Sequence, residues 1–277
     1  MQVRGSAATL TKGINMQENR AKRIVREGGM ALGTYVGGIA DPQIVEIIGH
    51  AGFDAAFIDM EHTSFDLGDV QLMVMAAERV GITPVVRTPG FDPAFILRLL
   101  DMGVQGIQLP HVNDAEAARA AVRAVRYAPL GERGMAAGTR AADFGKIPLA
   151  EHMAQSNREI MLAVMIEELS ALDEVEEIAA TPGIDLVVVG PADMSRALGV
   201  GGQTNHPKLV QTIDRVAEIV RKSGVSRLAL PMNNAVFPRD AAQLRKLGVA
   251  YANCAPTPEA RLLQSLQMQS TAARQLL

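Results

Sequence analysis

Gly183-Ile184-Asp185-Leu186-Val187-Val188-Val189-Gly190 reads as the end of a helix running straight into a strand with no exposed face. Consecutive apolar, β-branched residues suit a strand covered on both sides, as in a parallel sheet flanked by helices. The leading glycine supplies the left-handed backbone that stops a helix. The same glycine-apolar step recurs at Gly52-Phe53, Gly81-Ile82, Gly103-Val104, Gly224-Val225 and Gly248-Val249. Comparable strand-like runs lie at Leu32–Val36, Ala55–Asp59, Thr83–Arg87, Gly106–Leu109, Met161–Ile166, Leu186–Val189, Arg227–Leu230 and Val249–Asn253. A joint repeated this often marks a wound α/β chain. Eight strands favour a closed (β/α)8 barrel over an open, doubly wound sheet.

The segments between the strands read as helices. Asp41-Pro42 and Asp92-Pro93 set a capping carboxylate before a proline at the first helical position. Ser170 with Asp173 is expected to form a capping box. Ile44, Ile47, Ile48 and Phe95, Ile96, Leu99, Leu100 give stripes that pack on a sheet. Residues 128–160 form an insertion after the fourth barrel helix, and residues 31–277 make one barrel domain. Residues 1–30 are an extension carrying Arg4, Lys12, Arg20, Lys22, Arg23 and Arg26, expected to be partly disordered and to end in a short helix from about Met16. They contain no continuous apolar core of the kind a secretory signal needs.

Composition excludes several function classes. The chain has 277 residues, 48% hydrophobic and 21% charged, enough for a full core. A formal charge of -3 gives no footprint for nucleic acid or an anionic membrane. No apolar run approaches the roughly 20 residues of a membrane helix. A single cysteine, Cys254, suits a reducing compartment, so the cytoplasm is the expected location.

Barrel enzymes build their sites at the C-terminal ends of the strands. There the second strand offers Asp59-Met60-Glu61-His62, the third Arg87, the fifth Glu167-Glu168 and the sixth Gly190-Pro191-Ala192-Asp193. Taken singly, each has an ordinary reading. Asp193 alone would be a helix cap, Glu167 and Glu168 solvated rim residues, His62 a structural histidine, and Arg87 the partner of a structural aspartate. Acids, a histidine and an arginine meeting on one rim point instead to a site. Two carboxylates suit a hard cation such as Mg2+ or Mn2+, a histidine beside acids is a base near neutral pH, and an arginine suits an oxyanion. His50, His111, His152 and His206 share no metal-ligand spacing, and Cys254 is expected to be a packed thiol.

These residues bring a resemblance with them. From about Asn19 to Leu266 the chain resembles the HpcH/HpaI family of metal-dependent class II pyruvate aldolases. The likeness rests on GFDAAFIDMEH (52–62), PVVRTPGFDP (84–93), LLDMGVQGIQLPHV (99–112), RYAPLGERG (126–134), VMIEELSA (164–171) and VVVGPADMS (187–195). It implies a single-domain TIM barrel of the phosphoenolpyruvate/pyruvate type and a lyase that reversibly cleaves a 4-hydroxy-2-oxo acid to pyruvate and an aldehyde. By the same resemblance Glu167 and Asp193 hold Mg2+, Mn2+ or Co2+, and no organic cofactor is used. His62 is the base, with Asp101 tuning it, and Asp59 stands behind the residues that touch substrate. Arg87 stabilises the enolate oxygen, and the substrate-binding turn Gly190-Pro191-Ala192-Asp193 holds the pyruvate carboxylate through the amides around Ala192 and Asp193. A homo-oligomer is implied, commonly a hexamer with exchanged C-terminal helices. The chain departs from the family where Met165 replaces a substrate-contacting glutamine, and at NCAPTPEA (253–260) after the last strand. The alternatives are an acyl-CoA lyase of the malyl- or citramalyl-CoA type and a non-catalytic barrel that binds a small acid. No basic cluster stands clearly placed for CoA phosphates.

Overall fold

The computed structural model describes residues 17–277. The strands are β1 (Ala31–Val36), β2 (Ala55–Asp59), β3 (Thr83–Arg87), β4 (Gly106–Leu109), β5 (Met161–Ile166), β6 (Leu186–Val189), β7 (Arg227–Ala229) and β8 (Val249–Asn253). They pair in sequence order, all parallel, and β8 returns to β1 to close the barrel. The helices are α1 (Arg20–Arg26), α2 (Pro42–His50), α3 (Leu67–Val80), α4 (Pro93–Asp101), α5 (Ala115–Val125), α6 (Leu149–Glu159), α7 (Val175–Ala180), α8 (Pro191–Ala197), α9 (Pro207–Ser223), α10 (Ala241–Lys246) and α11 (Pro258–Arg274). None of the described helices is long and apolar enough to cross a membrane.

The joints behave as their residues dictate. All six helix-to-strand glycines have positive φ, from 67° at Gly224 to 108° at Gly103. Asp41 and Asp92 accept from Gln43 N and Ala94 N, capping helices that begin with proline. Ser170 and Asp173 do not form the expected capping box. They bound a one-turn 3-10 segment, and α7 starts later, behind Glu174, without a side-chain cap. The reciprocal boxes form instead at Asp66 with Asp69 and Asp240 with Gln243. β1 starts one residue earlier than its apolar run because Ala31 pairs with Tyr251 of β8. β7 ends at Ala229 because the ladder slips there, Leu228 facing Val249 and Ala229 facing Tyr251.

Apolar residues divide into two layers. The alternate strand residues Val86, Ile107, Val164 and Val187 pack outward against the helices, with Ile96, Leu99 and Val216 among their partners. Phe57, Val85, Met161, Met165, Leu186 and Tyr251 fill the barrel interior. The interior is therefore a packed plug below the rim, not a channel. α1 closes the opposite end, with Ala21 and Val25 joining the interior cluster. Asn19 pins it there: its amide donates to Gln105 O at 2.8 Å and Glu159 O at 2.9 Å, and its Oδ1 accepts from Thr83 Oγ1 at 3.0 Å. The part of the expected extension before residue 17 lies outside the described residues. Within residues 128–160, the 3-10 segment Arg140–Gly145 and α6 are the ordered elements.

His152 of α6 is fully buried with Nδ1 unpartnered, and its Nε2 lies 3.4 Å from the Tyr127 hydroxyl. Burial first, and then the Arg133 charge, push its pKa below the ordinary histidine value. The unfolded chain therefore takes up this proton at higher pH than the folded one. Stability is full above about pH 6.5 and falls as acid takes the pH through that value towards the lower folded one. The unfolding midpoint should drop between pH 7.5 and 5.5, and His152→Phe should flatten that drop. An unchanged slope in the variant would assign the acid sensitivity elsewhere.

Candidate functional site

The polar residues gather where β2, β3, β4, β5 and β6 end. Asp59 is the last residue of β2 and Arg87 the last of β3, and the two are register partners on adjacent strands, so both side chains turn inward. The pair is bidentate, Arg87 Nε to Asp59 Oδ1 at 2.9 Å and Nη2 to Oδ2 at 2.6 Å, with both side chains 7% exposed. Glu61, two residues beyond Asp59, brings Oε2 to 3.0 Å from Arg87 Nη1. Arg87 is thereby fixed between two carboxylates, and they outweigh its burial to raise its pKa further.

Glu167 follows β5 directly, with its side chain 3% exposed. Its Oε1 accepts the backbone N–H of His111 at 3.0 Å. Burial above all, and the nearby charges of Glu61 and Asp193, push its pKa up against the opposing effect of His111. Asp193 is the third residue of α8 and is partly exposed, 3.6 Å from Arg196 Nε. It is not the cap of that helix, since Gly190 holds the cap position. The amides of the first turn, at Ala192 and Asp193, have no partner within the helix. Gly190 lies against the site: a Cβ there would meet Met165 Cε and stand 3.4 Å from Glu167 Oε2. Met165, two residues before Glu167, is buried in the interior cluster.

The expected residues are not all brought together. Asp59, Arg87, Glu167, Asp193, Gly190 and Met165 meet, with Pro191 and Ala192 opening α8 beside them. His62 stands on the outer rim, 66% exposed, its Nε2 3.9 Å from Glu61 Oε2. Asp101 does not reach it. It ends α4, at the barrel end opposite the rim, with its carboxylate on Arg133 Nη2 at 2.7 Å. A helix that returns from the rim to start the next strand must finish at that far end, so one chain cannot join Asp101 to His62.

Two residues of the site carried no assigned role in the sequence. Glu61 shares the inward face of Asp59 by the two-residue period of a strand. His111 adopts φ +55°, a left-handed conformation that a side chain rarely tolerates. This turn aims both its N–H and its ring at the acids. Nδ1 lies 3.2 Å from Glu167 Oε1 and 3.1 Å from Glu168 Oε1, and Nε2 lies 3.3 Å from Glu61 Oε1. Its signal was position, just past a strand end, not spacing to other histidines.

The donor set fits a hard divalent cation. Glu61, Glu167 and Asp193 raise an excess of negative charge that Arg87 only partly offsets, and buried Glu61 Oε2 meets Arg87 Nη1 as an ion pair at 3.0 Å without hydrogen-bond geometry. Among the described residues, no three or more His, Cys, Asp or Glu side chains close on one point. Glu167 and Asp193 would thus leave most coordination positions to water and ligand oxygens, an open arrangement of the kind suited to catalysis.

Comparison with known proteins agrees with this fold. The model of the HpcH/HpaI aldolase/citrate lyase family matches residues 32–256. A pyruvate aldolase of Rhizobium etli is 40% identical over 196 residues, spanning 71% of this chain and 76% of that protein. A 5-keto-4-deoxy-D-glucarate aldolase of Salmonella paratyphi C is 39% identical over 188 residues, 68% of this chain and 73% of that one. The crystal structure of an HpcH/HpaI aldolase from Desulfitobacterium hafniense superimposes with a TM-score of 0.81 at 30% identity, covering 92% of this chain and 96% of the other.

Removing one partner of a buried ion pair strands the other. Asp59→Asn should destabilise the protein by about 3 kcal/mol or more in urea unfolding. Asp59→Leu combined with Arg87→Met, which removes both charges, should cost clearly less. Equal losses would show that the pair contributes little beyond its volume.

Proposed function

Because this chain belongs to the HpcH/HpaI aldolase/citrate lyase family, we propose that it is a divalent-metal-dependent pyruvate aldolase, reversibly cleaving a 4-hydroxy-2-oxo acid to pyruvate and an aldehyde. The observation that carries this reading is the buried Glu167 carboxylate, its pKa raised by burial and by Glu61 and Asp193, on the same rim as an Arg87 locked in place by Asp59 and Glu61. Glu167 and Asp193 would hold Mg2+, Mn2+ or Co2+. Such an ion would supply Lewis-acid charge where a 2-oxo acid becomes an enolate.

The chain's own residues divide the remaining work. Arg87, kept cationic by Asp59 and Glu61, offers charge to the oxygen that becomes negative as the C3–C4 bond breaks. The first-turn amides of α8 receive the carboxylate of the oxo acid, with Gly190 presenting no side chain that would block approach. His62 takes the 4-hydroxyl proton in cleavage and returns it in addition. The departing electrons form the enolate, which gains a proton at C3 to become pyruvate. Among the described residues no lysine stands at the C-terminal end of a strand, so a Schiff base has no candidate nucleophile on this rim. A lone, buried Cys254 is consistent with a cytoplasmic enzyme.

Mn2+-loaded protein should exchange the methyl protons of pyruvate and cleave a 4-hydroxy-2-oxo acid. Glu167→Ala should lose both activities and Mn2+ binding. His62→Ala should keep exchange and lose about 10²–10⁴ in cleavage rate. Should His111→Ala give that split instead, the base assignment moves to His111; exchange by metal-stripped protein would overturn the metal reading.

We also infer a homo-oligomer, a hexamer by family likeness. α11 has no buried residue, and Leu262, Leu263, Leu266 and Met268 are each half exposed or more. An apolar stripe of that length suits burial on another copy of the chain. Removing residues 258–277 should reduce the mass in sedimentation to that of a smaller assembly. An unchanged mass would exclude α11 from the interface.

A further inference from the structure

Gln108 of β4 is the register partner of Arg87, so the two side chains share the inward face at the rim end of the barrel. Gln108 is 4% exposed, and its Nε2 donates to Met165 Sδ at 3.4 Å. A thioether is only a weak acceptor, so a buried amide has spent a good donor on a poor partner. The neighbouring cation is held mainly by carboxylates, with one N–H left on each of Nη1 and Nη2. Arg87 turns Nε and Nη2 onto Asp59 and Nη1 onto Glu61. Met165 in turn packs its methyl over Gly190, whose missing side chain leaves that space open. Just below Glu167, the floor of the site is therefore Arg87, Gln108, Met165 and Gly190, and Gln108 carries its one neutral side-chain N–H donor.

We propose that Gln108 is a substrate-anchoring residue, which transfers its Nε2–H from the Met165 sulfur to an oxygen of the bound 2-oxo acid. The exchange is favourable because a hydrogen bond to a charged oxygen is stronger than one to sulfur. The flexible, unbranched Met165 can yield without disturbing the strand. The amide that reads the oxo acid thus comes from β4, and β5 contributes only the apolar cushion below it. This inference rests on the pyruvate-aldolase reading above and narrows it to one contact.

Pyruvate binding by titration calorimetry in the presence of Mn2+ tests it. Gln108→Met keeps length and volume and should weaken pyruvate about tenfold, the loss of one such bond, with Mn2+ affinity and melting temperature unchanged. Combining Gln108→Met with Met165→Gln moves the amide across one strand and should restore most of the affinity. Parent-like pyruvate binding by Gln108→Met would overturn the proposal. So would an equal loss of Mn2+ binding, which marks a structural role. Should Gln108→Met fail to fold, Gln108→Asn, which keeps the amide but shortens its reach, is read in the same way. If the Mn2+-loaded parent itself binds no pyruvate, the aldolase reading falls first. If the parent binds and the variants bind equally, only the role of Gln108 is lost.

Discussion

Glu167 carries its carboxylate at the buried end of β5, and the charges around it answer that burial. Water is nearly excluded, so the negative form must be met by donors the protein supplies. His111 gives its backbone N–H, at the cost of a left-handed turn. Glu61 and Asp193 oppose that relief by adding like charge. Arg87 offsets part of it and is itself pinned by Asp59, so the rim is a chain of mutual dependence running from β2 to β6. Such a cluster is costly unless something cationic completes it, which is why the proposed ion and the fold are difficult to separate.

The barrel supports this arrangement through its two apolar layers. Alternate residues of each strand serve different neighbours, so the helices can be held outside while the interior is filled by Phe57, Met161, Leu186 and Tyr251. Filling matters for the site because it holds the strand ends beneath Glu167 at a fixed height, while Met165 alone brings a flexible side chain to the floor beside Gly190. Rigidity below and polarity above follow from the same alternation.

Much of this was legible in the residues. Glycine before an apolar run, and aspartate before proline, are local signals, and each produced the expected joint because backbone conformation there depends on few atoms. Ser170 failed as a box because α7 begins four residues later, a choice made by the loop that follows Glu167 and Glu168. β7 was shortened by a slip against β8 that no single strand encodes. In the site, strand-end residues with period two were readable. His111 was not, because its orientation depends on a positive φ set by Glu167 across the rim. Asp101 misled because adjacency in a sequence motif carries no information about which end of the barrel a residue occupies. Gln108 and Met165 show the related difficulty that an amide can move to the next strand while the pocket keeps its chemistry.

The seal that α1 makes with Asn19 across the barrel's lower end has a consequence for traffic. Among the described residues only one mouth remains, and arriving and departing molecules must queue through it. Under the aldolase reading, the oxo-acid half sits inside, against Glu167, while the half that faces His62 sits nearest the bulk solvent. The outer fragment must clear before the inner one can move. A one-door barrel thus imposes an order on its own reaction, aldehyde leaving first in cleavage and pyruvate entering first in synthesis, with no moving lid required to enforce it.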